Sequence, residues 1–147
     1  MVGPEPKLLF HELLMPSGCH MVVAELGTDI GGIPAEAIER MPAVRSSPSG
    51  VAVLTRCEDF GDVELAVWAG DPGPPPEGWS VVFDGTIETR SKGFEAGTAT
   101  ATLIHLDAAP GKYRVRAVTR QDTNAEVDGV RFIFPDSPDL KGKKLWS

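Results

Sequence analysis

The sequence predicts an all-β protein, an antiparallel β-sandwich of about eight strands with one short helix. Three observations predict it. Between Thr98 and Arg120, residues alternate with period two: Ala99, Ala101 and Leu103 against Thr98, Thr100 and Thr102, then Tyr113, Val115 and Ala117 against Arg114 and Arg116. That is the pattern of strands with one dry and one wet face. Turn signals recur roughly every 8–12 residues along the rest of the chain. The chain has 16 Gly and 13 Pro, about a fifth of its residues against a usual share of roughly 12%. Set between good apolar runs, this Gly and Pro usage means many turns rather than disorder.

Lys7–Met15, an apolar run carrying His11 and Glu12, reads as the first strand, with a short helix as the alternative. Pro16-Ser17-Gly18 turns the chain, and Cys19–Leu26 is the second strand. Gly27–Ile33 is a glycine-rich connection. Pro34–Arg40 is the helical segment, with Pro suited to a first turn and good helix formers after it. Val44–Ser49 reads as a polar loop. Gly50–Arg56 and Val63–Trp68 read as two strands joined in a hairpin by the turn Glu58–Asp62. Gly70–Gly78 (GDPGPPPEG) is a loop stiffened by prolines that remove backbone donors. Trp79–Thr89 is a strand, and Arg90–Gly97 a polar turn. Thr98–Leu106 and Lys112–Arg120 read as a second hairpin around Pro110-Gly111, with Leu103, Val115 and Ala117 on the dry side. Gln121–Gly129 is an acidic loop and Val130–Phe134 the last strand. The domain spans residues 1–138, and residues 139–147 form a Lys-rich C-terminal tail.

A chain of 147 residues fits one domain with a core of its own. Its formal charge is -7, and the tail's surplus of Lys leaves -9 on residues 1–138. An acidic body argues against nucleic acid or an anionic membrane as partner and suits a basic protein. Cys19 and Cys57 are too few for a disulfide scaffold and lie in no CxxC or Cys/His cluster, so they read as reduced, partly buried thiols. Export would let them pair across neighbouring strands. However, the N-terminal MVGPEPKLLFHELLMPSG has one Lys, Glu5, and a short apolar run broken by Glu12, which is not a signal peptide. No run approaches the roughly 18–20 apolar residues of a membrane helix. The expectation is a soluble cytoplasmic protein, and the Ala, Gly, Pro, Val and Arg usage is that of a high-GC bacterium.

Motifs for chemistry are weak. His11, His20 and His105 form no HxH or HExxH spacing, and His105-Leu106-Asp107 lacks a nucleophilic serine in a Gly-x-Ser-x-Gly setting. Zinc needs three or four ligands, which separate strands would have to supply. The glycines of 27–32 lack the Lys-Ser/Thr end of a phosphate loop. Asn124-x-Glu126-x-Asp128-Gly129 copies the start of a calcium loop, but the twelfth position is Pro135 instead of Glu. No catalytic residue, metal site or cofactor is expected. Lys112, Arg114, Arg116 and Arg120 share one strand face and read as partners of acidic residues such as Glu64 and Glu88, with an anion-binding stripe as the alternative. Trp68 and Trp79 flank the proline loop, and Trp146 lies in the tail.

From Pro34 to Pro135 the order of elements resembles small bacterial β-sandwich proteins of the competence protein J type. The likeness lies in a Trp-led strand (GWSVVFDGTIET), an apolar strand, then LDAAPGKYRVRAVTR and a closing apolar strand. The named member of that family inhibits a DNA-entry nuclease, so the resemblance implies a non-enzymatic cytoplasmic inhibitor or immunity protein. It identifies no functional residue. With the charge, it leads to an acidic sandwich that binds and neutralises a basic nuclease or toxin by electrostatic complementarity. The surface expected to do so is Glu58, Asp59 and Asp62 with Asp122, Glu126 and Asp128. The alternative is a small-ligand or metal-binding sandwich with a cleft near Trp68 and Trp79.

Overall fold

The computed structural model describes residues 5–27 and 43–145. The expected helix Pro34–Arg40, the connection from residue 28 onward and Trp146 lie outside them. Among the described residues the strands are β1 (Lys7–Leu14), β2 (His20–Glu25), β3 (Val44–Ser47), β4 (Gly50–Leu54), β5 (Val63–Ala69), β6 (Trp79–Thr89), β7 (Gly93–Thr98), β8 (Thr102–Asp107), β9 (Gly111–Gln121), β10 (Val127–Phe134) and β11 (Lys141–Lys144). They form a five-stranded sheet, β1-β5-β10-β9-β6, and a six-stranded sheet, β11-β8-β7-β2-β4-β3. Pairing is antiparallel except between β5 and β10. The all-β sandwich is as the sequence predicts. Short 3₁₀ turns at Ser17–Cys19 and Glu58–Phe60 punctuate the strands.

Alternation builds the core. On the first sheet Val63, Leu65 and Val67 of β5, Val130, Phe132 and Phe134 of β10, and Val115 and Ala117 of β9 point inward. They meet Met21, Val23, Val51, Val53, Phe94, Ile104 and Leu106 of the second sheet. Phe94 packs edge-on against Tyr113 at 5.5 Å between ring centres, joining the sheets. Burial of such side chains is worth about 1.5–3 kcal/mol each.

Both expected hairpins are corrected. β4 and β5 lie in different sheets, as do β8 and β9. The turns Glu58–Asp62 and Asp107–Gly111 therefore carry the backbone across the sandwich. Leu103, Val115 and Ala117 are nevertheless buried as expected, because alternation reports which face is dry and not which strand lies alongside. The strand read from Thr98 is also interrupted. Thr98 ends β7, its Oγ1 accepts the Ala101 N–H at 3.1 Å, and β8 begins at Thr102.

The polar segments Val44–Ser49 and Arg90–Gly97 hold β3 and all but the last residue of β7, and residues 141–144 of the tail pair with β8 as β11. β7 requires its glycines. A Cβ on Gly93 would sit 1.9 Å from the Leu106 carbonyl oxygen. Cys19 and Cys57 form a disulfide with Cα atoms 4.5 Å apart, which replaces the expected free thiols. The turns at Ser17–Cys19 and Glu58–Phe60 bring them together across the two sheets' connections.

Candidate functional site: an acidic end and a strapped sheet face

The first candidate is the end of the sandwich where β5 begins. Arg56 follows β4, and its Nε and Nη2 donate to the Asp62 carbonyl while its Nη1 reaches Asp122 Oδ2 at 3.2 Å. Its backbone N–H bonds the Val127 carbonyl at 3.0 Å. One residue thus joins the turn Glu58–Asp62 to the loop 122–127. Gly61, at φ 121°, leaves room for the guanidinium: a Cβ there would lie 2.8 Å from Arg56 Nη2. The Cys19–Cys57 disulfide fixes the start of the same turn, and the Phe60 N–H bonds the Cys57 carbonyl at 2.9 Å.

The six expected acidic residues divide into two groups. Glu58, Asp59, Asp62 and Glu126 are exposed, and no ion pair engages their carboxylates among the described residues. Asp122 and Asp128 are half-buried and engaged. Asp122 Oδ1 accepts the N–H groups of Asn124 at 2.7 Å and Glu126 at 3.1 Å, folding its own loop. The Glu126 N–H, then that of Asn124, then Arg56 hold its carboxyl below the ordinary range. Asp128 Oδ1 takes Arg120 Nε at 2.9 Å, and Arg120 Nη1 takes Glu64 Oε2 at 3.0 Å. Burial pushes Glu64 up, but hydrogen bonds from His11 and Arg120 outweigh it and its pKa falls.

Sequence reasoning passed over Arg56 and Phe60. Phe60 is 67% exposed between Asp59 and Gly61, and Leu13 (67%) and Met15 (62%) are exposed where β1 ends, Leu14 lying opposite Val63. The signal for Phe60 was an aromatic residue inside a polar turn, EDFGD. Phe60 thus stands exposed among the carboxylates of its own turn, Glu58, Asp59 and Asp62.

The second candidate is the outer face of the five-stranded sheet. β5 and β6 run in the same direction, so residues 70–78 must return along β5, about 20 Å. As an extended proline segment at about 3.1 Å per residue they reach about 28 Å, enough to cross the face. Trp79 then lies opposite Arg120, at the level where β5 starts. Beneath this strap is a cavity of about 200 Å³ between Pro72–Pro76 and Trp68, Arg116, Val118, Arg131 and Ile133. Asp71 ties the strap down, accepting the Gly73 N–H at 2.9 Å and Arg116 Nη1 at 3.4 Å. Trp68 lines the cavity. Trp79 is not part of its wall and stacks under Arg131, 4.1 Å from ring centre to guanidinium carbon. The arginines of the basic stripe are paired, Arg114 bidentate on Asp84 at 2.9 and 2.8 Å, but the expected Lys112–Glu88 pair is not formed, because Glu88 takes Arg90.

Among the described residues no group of three His, Cys, Asp or Glu could hold a metal ion. His11 bonds Glu64 at 2.8 Å, and His20 is buried with Nδ1 on the Gly18 carbonyl at 2.7 Å.

No family model matches the sequence, and neither does any curated protein. Among solved structures it is similar to the crystal structure of ComJ, inhibitor of the DNA degrading activity of NucA, from Bacillus subtilis. The TM-score is 0.55 at 11% identity, and the superposition covers 88% of this chain and 96% of that one. Identity this low shows the fold and no more. In architecture, this protein resembles the competence protein J type of β-sandwich.

Proposed function

We propose that this protein is a non-enzymatic binding protein that neutralises a basic protein, a nuclease or toxin, at its acidic end. The observation that carries the reading is the meeting of two loops, residues 58–62 and 122–127, that are far apart in sequence. Arg56 holds them as one surface and the Cys19–Cys57 disulfide fixes the start of the first, with exposed carboxylates around Phe60. A surface fixed before encounter loses less entropy on binding, and a one-sign rim steers an oppositely charged partner. The ComJ-like fold supports the reading, because that protein is an inhibitor of a nuclease.

Affinity capture from the host followed by surface kinetics tests it. A captured basic protein should associate more slowly as salt rises, since exposed charges are screened over about 8–10 Å. Asp59→Lys with Asp62→Lys should slow association further, and Phe60→Ala should speed dissociation. A partner indifferent to salt and to all three changes would overturn the reading. No helix among the described residues is long and apolar enough to cross a membrane. The cytoplasmic location expected from the sequence and the disulfide make different demands, because disulfides persist in oxidising compartments. Thiol trapping in host cells decides between them.

A further inference from the structure

The cavity under the proline strap has walls of two kinds. Pro72, Pro74, Pro75 and Pro76 with Val118, Ile133 and Trp68 give a stiff apolar enclosure. Side-chain polarity in the wall comes from donors alone: Arg116, Arg131 and the Trp68 indole, with no Asp or Glu lining it. Arg131 has no carboxylate within ion-pair distance among the described residues and rests on Trp79 instead. Arg116 reaches Asp71 at 3.4 Å and Asp84 at 3.7 Å, both long against the usual ~2.7–2.9 Å of charge-assisted bonds. Trp68 Nε1–H is buried without an acceptor, a state that native proteins seldom leave uncompensated. An apolar void of about 150 Å³ accepts benzene, so about 200 Å³ holds a ring-sized group with a small polar head.

We propose that this cavity binds a carboxylate carried on a ring-sized or branched apolar body. The carboxylate would sit on the guanidinium groups of Arg131 and Arg116, and the body between Trp68, Ile133 and the prolines. The same chemistry can come from a free organic acid or from the C-terminus of a peptide with an apolar last residue. The site is separate from the acidic end and stands whether or not a basic partner binds there.

The test titrates the full-length protein with benzoate and benzamide, and with a tetrapeptide ending in leucine as free acid and as C-terminal amide. Calorimetry and tryptophan fluorescence read binding. Each acid that fits should bind at least about tenfold more tightly than its amide, the charge-assisted bonds being roughly twice as strong as neutral ones. Arg131→Gln should abolish that preference, Arg131→Lys should keep part of it, and the melting temperature of both should stay near that of the parent. Preference for benzoate identifies a free acid as the source, and preference for the peptide acid a peptide terminus. The proposal falls if none of the four probes binds at millimolar concentration, if acids and amides bind alike, or if Arg131→Gln leaves the preference intact.

Discussion

The acidic end and the strapped face carry similar numbers of charged groups and use them in opposite ways. At the acidic end Glu58, Asp59, Asp62 and Glu126 face solvent, while Arg56 and Asp122 supply the scaffold beneath them. On the strapped face Asp84, Glu64 and Asp128 are consumed by Arg114, Arg116 and Arg120 across the strands. Of the carboxylates compared, only the first set is left without an ion pair among the described residues. Net charge gives only the sign of the body's field, whereas position decides which carboxylates face solvent. Asp128 is acidic by sequence and belongs to the scaffold by structure.

Removing the disulfide is the largest perturbation that sharpens this contrast. Cys19→Ser with Cys57→Ser opens a loop with a sequence separation of 38. Loop-closure entropy sets the expected loss of stability at about 4 kcal/mol. Chemical denaturation measures it, and hydrogen exchange should localise the added mobility to residues 15–20 and 56–62 rather than to the strap. Loosening spread evenly over both regions would break the comparison.

The next effect separates the two kinds of carboxylate. Asp128→Asn should destabilise the fold by about 1–2 kcal/mol, because it leaves a half-buried Arg120 short of a partner. Asp59→Asn should stay within about 0.5 kcal/mol. Equal effects in urea titration would mean that the division between scaffold and free surface is wrong.

Acid should undo the scaffold as its carboxylates protonate. Arg114 above all holds Asp84 below the ordinary 3.8, and amide hydrogen bonds led by Glu126 do the same for Asp122. Glu64 lies below 4.5 despite its burial. The folded protein gives up these protons more readily than the unfolded one, so their stabilisation is complete above the ordinary values. It disappears as pH falls through the lowered ones. His20 adds an earlier loss. Burial, helped by the charge of Arg45 and opposed by the Gly18 carbonyl, lowers its pKa from 6.5, so protonation is harder in the folded protein. Stability should begin to fall below about pH 6.5 and flatten in His20→Gln; melting curves from pH 8 to 3 check both steps.

Phe60→Ala should have the smallest effect on stability. At 67% exposure it buries little, and the melting curve should barely move. Its consequence should appear in partner dissociation alone, the opposite of Asp128→Asn.

Much of the strand map was legible in the sequence. Trp79–Thr89 is β6 residue for residue, the runs at Lys7–Met15 and Cys19–Leu26 hold β1 and β2, and those at Val63–Trp68 and Lys112–Arg120 match β5 and β9 to within one residue at each end. β7 was hidden because Gly93 and Gly97 look like turn residues. They serve close approach instead, as a Cβ on Gly97 would lie 2.2 Å from the Ala101 carbonyl oxygen. β11, Lys-Gly-Lys-Lys, has no alternation to detect and is held by its partner β8. The acidic residues were legible singly, but their convergence depends on Arg56, a residue that looks like any strand-end arginine.

What the sequence by itself determined is the class of structure and the sign of the charge. Period-two burial forces strands with a dry face, frequent Gly and Pro force turns, and a surplus of carboxylates makes the body negative. What only the tertiary structure decided is pairing: strand with strand, Cys19 with Cys57, and Asp128 with Arg120. Alternation constrains one side of each strand, and the opposing sheet, about 10 Å away, is as accessible to a short turn as the neighbouring strand. The choice between them lies in contacts among residues far apart in the sequence, such as Phe94 against Tyr113, which no local pattern encodes.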